Sequence, residues 1–172
     1  MLQKFIAKLN SYLDRIAPGQ PVVQWRRALV ISAGVGIAVL AIEFMNLAYG
    51  TLGVSESMVL AVFGVTALLI FLFPNSMMYS PLTILEANLF ASFVALTCVY
   101  IIPIPILGLI ICMLCTTLGL YLLNCIHPPA FFLGVVIVMA GVDSLDFAFY
   151  PLMVDSLLLS LASYLYRSYL NR

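Results

Sequence analysis

Six apolar runs, roughly residues 28–49, 58–73, 87–102, 104–123, 129–142 and 147–166, follow one another along the chain with only short polar or Pro/Gly-bearing connections between them. None alternates with the period of two that marks a half-buried strand, so the runs read as helices. A helix needs about 20 apolar residues to cross the hydrocarbon core, with about 17 the lower bound. The first, fourth and sixth runs reach that length, and the third does when counted from Leu82. The second, MVLAVFGVTALLIFLF, is marginal, and the fifth, PAFFLGVVIVMAGV, is too short to cross unaided. The pattern therefore predicts an all-α polytopic transmembrane bundle of about six segments, the fifth a broken or half helix. The alternative is four full spans plus two short segments that re-enter.

The first 17 residues follow a different pattern. Leu2, Phe5, Ile6, Leu9, Leu13 and Ile16 recur at helical spacing among Lys4, Lys8, Ser11 and Arg15. That is the signature of an amphipathic helix lying in a membrane interface, ended here by Pro18-Gly19. Two parts are expected: an interfacial helix over residues 1–19 and a transmembrane bundle over 20–172. Trp25-Arg26-Arg27 at the junction suits a headgroup anchor.

Composition removes the soluble classes. Hydrophobic residues make up 65% of the 172 and charged ones 8%, far outside the globular range, so the bilayer is the first partner. Formal net charge is zero, but the signs are segregated: every Lys and Arg lies at or before Arg27 or at or after Arg167. Basic residues at both ends fit an even number of crossings with both termini cytoplasmic, in a bacterial inner membrane. No nucleic-acid partner is expected, and a homo-oligomer is compatible because six short helices enclose little volume.

Within the apolar region ionisable groups are scarce: Glu43, Glu86, His127 and Asp155. Each is a functional candidate by default, because a charge at bilayer depth costs about 2.5 to 3.5 kcal/mol on insertion scales. His127 stands in NCIHPPAFFLG, directly before Pro128 and Pro129. Proline suits the first turn of a helix. A helix starting there is expected to aim its free N–H groups and positive end at His127 and Asn124, making a donor cluster whose natural guest is a compact anion. The plainer alternative is a ring that hydrogen-bonds a carbonyl freed by the proline break. Cys112 and Cys115 form C-x-x-C, but inside a predicted span, so packing is favoured over redox chemistry or a metal site with Cys125 and His127. No cofactor or metal and no hydrolase motif is expected.

His127-Pro128-Pro129-Ala130 after a Cys-containing helix, with Ser80-Pro81-Leu82 upstream, resembles the two signatures of the HPP family of integral membrane proteins. The resemblance implies a bundle with about four full spans, and for some members of that family a role in nitrite transport. It also implies that soluble CBS domains accompany many bacterial members; none is expected in these residues. The chain departs from the usual pattern after Leu82, where Thr83-Ile84-Leu85-Glu86-Ala87-Asn88 replaces a Gln-Pro and glycine-pair run, so only Asn88 carries over there. After the second motif Phe131-Phe132 stands where smaller residues are usual, narrowing any passage beside His127.

Together these readings predict a transporter or channel for a small inorganic anion, nitrite among the candidates, and not an enzyme. Its substrate site would combine His127, Asn124, Pro128, Pro129, Ser80, Pro81 and Asn88, with Glu86, Asp155 or Glu43 for proton coupling. The rivals are a membrane-embedded redox or metal enzyme and a structural or assembly protein without flux.

Overall fold

The computed structural model describes residues 4, 5, 7, 8, 11, 12, 25–48 and 54–171, without the side chains of 54–57. Residues 4, 5, 7, 8, 11 and 12 are helical, but most of the expected interfacial helix and its Pro18-Gly19 end lie outside the described residues. The rest forms six helices: α1 (Trp25–Ala48), α2 (Val54–Leu72), α3 (Pro81–Ile101), α4 (Pro105–Leu122), α5 (Pro128–Ala140) and α6 (Val154–Leu170). A 3-10 turn, Met77–Tyr79, precedes α3, and a π-helical turn, Ala148–Met153, leads into α6. All six apolar runs became helices, with no strand among the described residues.

Proline sets where three of them start. Pro81, Pro105 and Pro128 each occupy the first turn of α3, α4 and α5, where a missing N–H costs nothing. Left-handed residues set the ends of α4 and α5. Asn124 (φ 54°) follows α4, with its N–H on the Tyr121 carbonyl and that of Cys125 on Leu120. Gly141 (φ 63°) ends α5 in the same way, through Val138 and Ile137. This paired closure satisfies carbonyls that would otherwise be left bare.

Helices Trp25–Ala48, Pro81–Ile101 and Pro105–Leu122, and the unit Ala148–Leu170, are long and apolar enough to cross a bilayer. At 13 residues α5 is about 20 Å long, short of the ~30 Å core. It is one unbroken helix, and its shortness comes from the chain breaks at His127 and Gly141. The sixth run hides a break that its hydropathy does not show: Tyr150 is extended (φ −142°, ψ 126°) and Pro151 follows inside the helical unit. The kink has the ordinary cause of a proline in a helix.

Helix α3 is the hub, packing on α4, α5 and α6. Its fully buried Ala87, Ala91 and Ala95, spaced four apart, form a small-residue face that lets neighbours approach closely. Gly134 of α5 meets that face: a Cβ there would lie 3.7 Å from the Ala91 carbonyl oxygen and 3.2 Å from Cys112 Sγ of α4. Helix α1 is the most peripheral, held through α2 and α6. Tyr150 donates its hydroxyl to the Met45 carbonyl (2.9 Å) and to Asn46 Oδ1 (3.3 Å), fixing the end of α1 beside the start of α6. The other end of α6 lies against the turn before α3, where Arg167 donates to the Ser76 carbonyl. The start of α1 and the end of α6 therefore share one end of the bundle. At that end the Arg26 guanidinium sits 5.5 Å from the Trp25 ring centroid.

Candidate functional site

Ser80 is the cap of α3. Its Oγ accepts the Thr83 N–H (3.2 Å) and pairs with Thr83 Oγ1 (2.7 Å). Ser80-Pro81 is thus a helix start in the ordinary chemical sense: a hydroxyl acceptor followed by a residue with no N–H to satisfy. The backbone just before and at that start is then bound from α6. Ser160 Oγ donates to the Pro81 carbonyl (2.6 Å), Ser163 Oγ to the Tyr79 carbonyl (2.7 Å), and Arg167 to Ser76. Two turns above Pro81, Asn88 Nδ2 donates to Ser156 Oγ (3.2 Å), and Ser92 Oγ donates to the Asn88 carbonyl (2.7 Å).

Ser156, Ser160, Ser163 and Arg167 lie at i, i+4, i+7 and i+11, one stripe of α6. Sequence reasoning missed this seam because it scored the run by hydropathy and passed over serines, although their spacing was there to be read. Interhelical hydrogen bonds of this kind average only about 0.6 kcal/mol each, so the seam fixes register more than it adds stability.

His127 closes the same end. The ring is fully enclosed, with Nδ1 2.9 Å from the Met78 carbonyl and the Tyr79 ring edge-on at 5.7 Å between centroids. A carbonyl can only accept, so Nδ1 carries the proton, and in the neutral ring Nε2 is a bare acceptor. Nε2 is buried with no partner. His127 lies on the connection between α4 and α5, outside the spanning helices, and burial pushes its pKa down to about 4 against the help of the Met78 carbonyl. His127 also borders a cavity of about 340 Å³ lined by carbon-rich side chains, among them Leu120, Tyr121, Phe131 and Phe132.

Two expectations about this site need revision. The donor cluster at the start of α5 is sparse, because Pro128 and Pro129 bring no N–H and the Ala130 N–H is spent on the His127 carbonyl (3.0 Å). Asn124 is exposed and serves as the left-handed cap of α4. What remains at the break is the helix dipole and one imidazole. Pro128 is exposed and Pro129 buried.

The carboxylates separate by environment. Glu86 is exposed on α3, and its electrostatic influence reaches Cys125. Glu43 is half-buried on α1, whereas Asp155 is completely buried near the start of α6. Asp155 lies eight residues before Ser163, about 12 Å along the helix from the His127 end. The far end carries a second depression, of about 460 Å³, where Asp143 and Asp146 stand beside Thr97 and Tyr100. The C-x-x-C cysteines face different ways: Cys112 is buried 3.8 Å from Thr116 Oγ1, and Cys115 is exposed. Among the described residues no three His, Cys, Asp or Glu side chains converge on a common point.

The family model described as "HPP, transmembrane region" matches residues 20–172, nearly the whole chain. The chain belongs to the HPP transmembrane family. No curated protein and no solved structure shows significant similarity to it. Membership and the apolar helices together make this a multi-pass membrane protein of the HPP family. They also give the two motifs structural meaning in this chain. Ser80-Pro81-Leu82 starts the central helix, His127-Pro128-Pro129 starts the short one, and the His127–Met78 bond joins the two starts.

Proposed function

We propose that this HPP-family protein is a transporter of a small inorganic anion, which binds at His127 together with a proton. The observation that carries the reading is the fully enclosed ring with an unpartnered Nε2 at the break between α4 and α5. A bare anion finds few donors there, since the prolines removed them, and a carbon-lined cavity is a poor host for an unpaired charge. An anion arriving with a proton meets both needs: Nε2 takes the proton and returns it as a hydrogen bond. Nitrite, the anion that the family resemblance implies, is the first substrate to test. The same reading places the protein in the inner membrane and makes it a carrier, not an enzyme.

The pH dependence follows in sign. His127 is neutral above about pH 4, so its protonated fraction falls as pH rises, roughly tenfold per unit. Nitrite uptake into proteoliposomes is expected to climb steadily as external pH drops from neutral toward that value. A rate that is flat or rises with pH would sink the proton-linked reading. Stability should move the other way. A histidine whose folded pKa is depressed contributes fully above its unfolded value, about 6.5, and that contribution is lost as pH falls toward the folded one. Added nitrite should restore part of the loss in acid.

Topology is testable separately. The start of α1 and the end of α6 share one end of the bundle, and on this reading the Lys and Arg there face the cytoplasm. Cysteine labelling at residues 2 and 172 in intact cells should find both protected from an impermeant reagent. Labelling at either position from outside would reverse the orientation.

The second reading, a structural or assembly protein without flux, draws on the His127–Met78 bond itself. That bond clasps the α2–α3 connection to the start of α5 whether or not anything is carried.

A further inference from the structure

One buried group lies outside the His127 site. Asp155 is fully enclosed, and neither carboxylate oxygen makes a hydrogen bond of full geometry, the Asn46 amide being close enough only to act weakly on it. The polar side chains around it come from every element that packs on its end of α6. From α1, Asn46 is the amide acting on it and Glu43 a second carboxylate within electrostatic reach. From the π-helical turn, the Tyr150 hydroxyl donates to Met45 and Asn46. From α3, Asn88 gives its N–H to Ser156, the residue next to Asp155, and keeps a buried, unpartnered Oδ1. The described side chains of α2 include no ionisable group, and the acid of α3, Glu86, is exposed and acts on Cys125.

Among the described residues no cation is in position to neutralise this group. Between Arg27 and Arg167 the sequence has no Lys or Arg, and Arg167 itself is held on the Ser76 carbonyl at the opposite end of α6. The groups acting on one another here bring a surplus of acceptors: the two Asp155 oxygens and the Glu43 carboxylate, against the Asn46 amide. An ionised carboxylate there has neither a counter-charge nor enough donors, a combination that buried charges do not sustain. One added hydrogen removes the charge and turns an acceptor into a donor.

We propose that Asp155 is an internal proton-binding site of this protein, occupied as the neutral carboxylic acid in the conformation seen and filled from the end of the bundle where α1 stops and α6 begins. The reaction is the simple one in which the carboxylate takes H⁺ from water to give the acid. Half-buried Glu43, three residues before Asn46 and so on the same side of α1, lies about one helical turn deeper than Asn46 as counted from that end. The site is separate from His127 and does not depend on what is transported.

Infrared spectroscopy of the full-length protein in lipid nanodiscs tests this without any substrate. Near neutral pH the wild type is expected to show the carbonyl band of a protonated carboxylic acid, sensitive to deuterium exchange and missing in Asp155→Asn. Isotope-labelled aspartate gives the same answer in the wild type: of the four, Asp14, Asp143, Asp146 and Asp155, one should report a neutral carboxyl. Asparagine mimics the shape of the neutral acid, so Asp155→Asn should melt at the wild-type temperature. A spectrum with ionised carboxyls only, or an acid band that survives Asp155→Asn, overturns the proposal. So does a wild type that is stabilised by Na⁺ and an Asp155→Asn variant that is not, because the surplus acceptors would then be holding a metal cation.

Discussion

Replacing His127 with Ala is expected to reduce nitrite uptake in proteoliposomes to the background of empty vesicles and to lower the melting temperature in detergent. From sequence, a cavity-lining ring should contribute little to packing, and the alanine variant should be nearly as stable as the wild type. Full enclosure changes that expectation. The variant leaves a void where the ring was and strips the Met78 carbonyl of its donor, for a combined cost of roughly 2 to 4 kcal/mol. Lost uptake in that variant alone would not separate transport from architecture, so His127→Asn is the informative partner. The asparagine amide can stand where Nδ1 does and donate to Met78, but it offers nothing in place of Nε2. The transport reading expects Asn to recover most of the stability and none of the uptake. Uptake close to wild type in His127→Asn would leave the ring as a clasp and remove the main support for the anion site.

Gly134→Leu is expected to be the most disruptive substitution in the bundle. Gly134 is buried where α5 meets both α3 and α4, and a Cβ there already comes to 3.2 Å from Cys112 Sγ, 3.6 Å from Thr116 Oγ1 and 3.7 Å from the Ala91 carbonyl oxygen. Alanine asks for a shift of a few tenths of an ångström and should cost under about 1 kcal/mol, whereas the branched side chain of leucine has nowhere to go without prising α5 from the hub helix, a cost of about 3 kcal/mol or more. Gel filtration and thermal melts in detergent should show an aggregated or poorly recovered Gly134→Leu protein beside a monodisperse Gly134→Ala. Gly36→Leu is the control: at that position of α1 an added Cβ would meet nothing within 4 Å, so the same change should be harmless. Equal behaviour of the two leucine variants would mean that the close approach at Gly134 does not hold the bundle together.

Much of this protein is legible in its sequence. Hydropathy located all six helices to within a few residues, because in a bilayer backbone polar groups are satisfied inside each helix, and element position follows from local composition. The His127-Pro128-Pro129 motif also read correctly as a helix start, since the absence of an N–H is a property of the residue itself, whereas Ser80-Pro81 emerged as one only in the structure. Hydropathy failed where a polar or strained residue is tolerated inside an apolar run. The Tyr150-Pro151 break passed unnoticed within the sixth run, and so did the serine stripe of α6 that bonds the backbone around Ser80-Pro81.

Sequence by itself determined the class of the protein, the number and order of its helices, the HPP motifs and the short list of ionisable groups within the apolar runs. Tertiary structure decided what those groups face, because burial and hydrogen bonding depend on which helices pack together, and local sequence does not encode that. It enclosed His127 and pointed Nδ1 at Met78, turning an expected donor cluster into a single bare acceptor. It left Glu86 outside and shut Asp155 inside beside the Asn46 amide, although both are carboxylates in similarly apolar stretches. A carboxyl group takes its chemistry from its neighbours, and those of Asp155, Asn46 and Glu43, come from α1, far away along the chain.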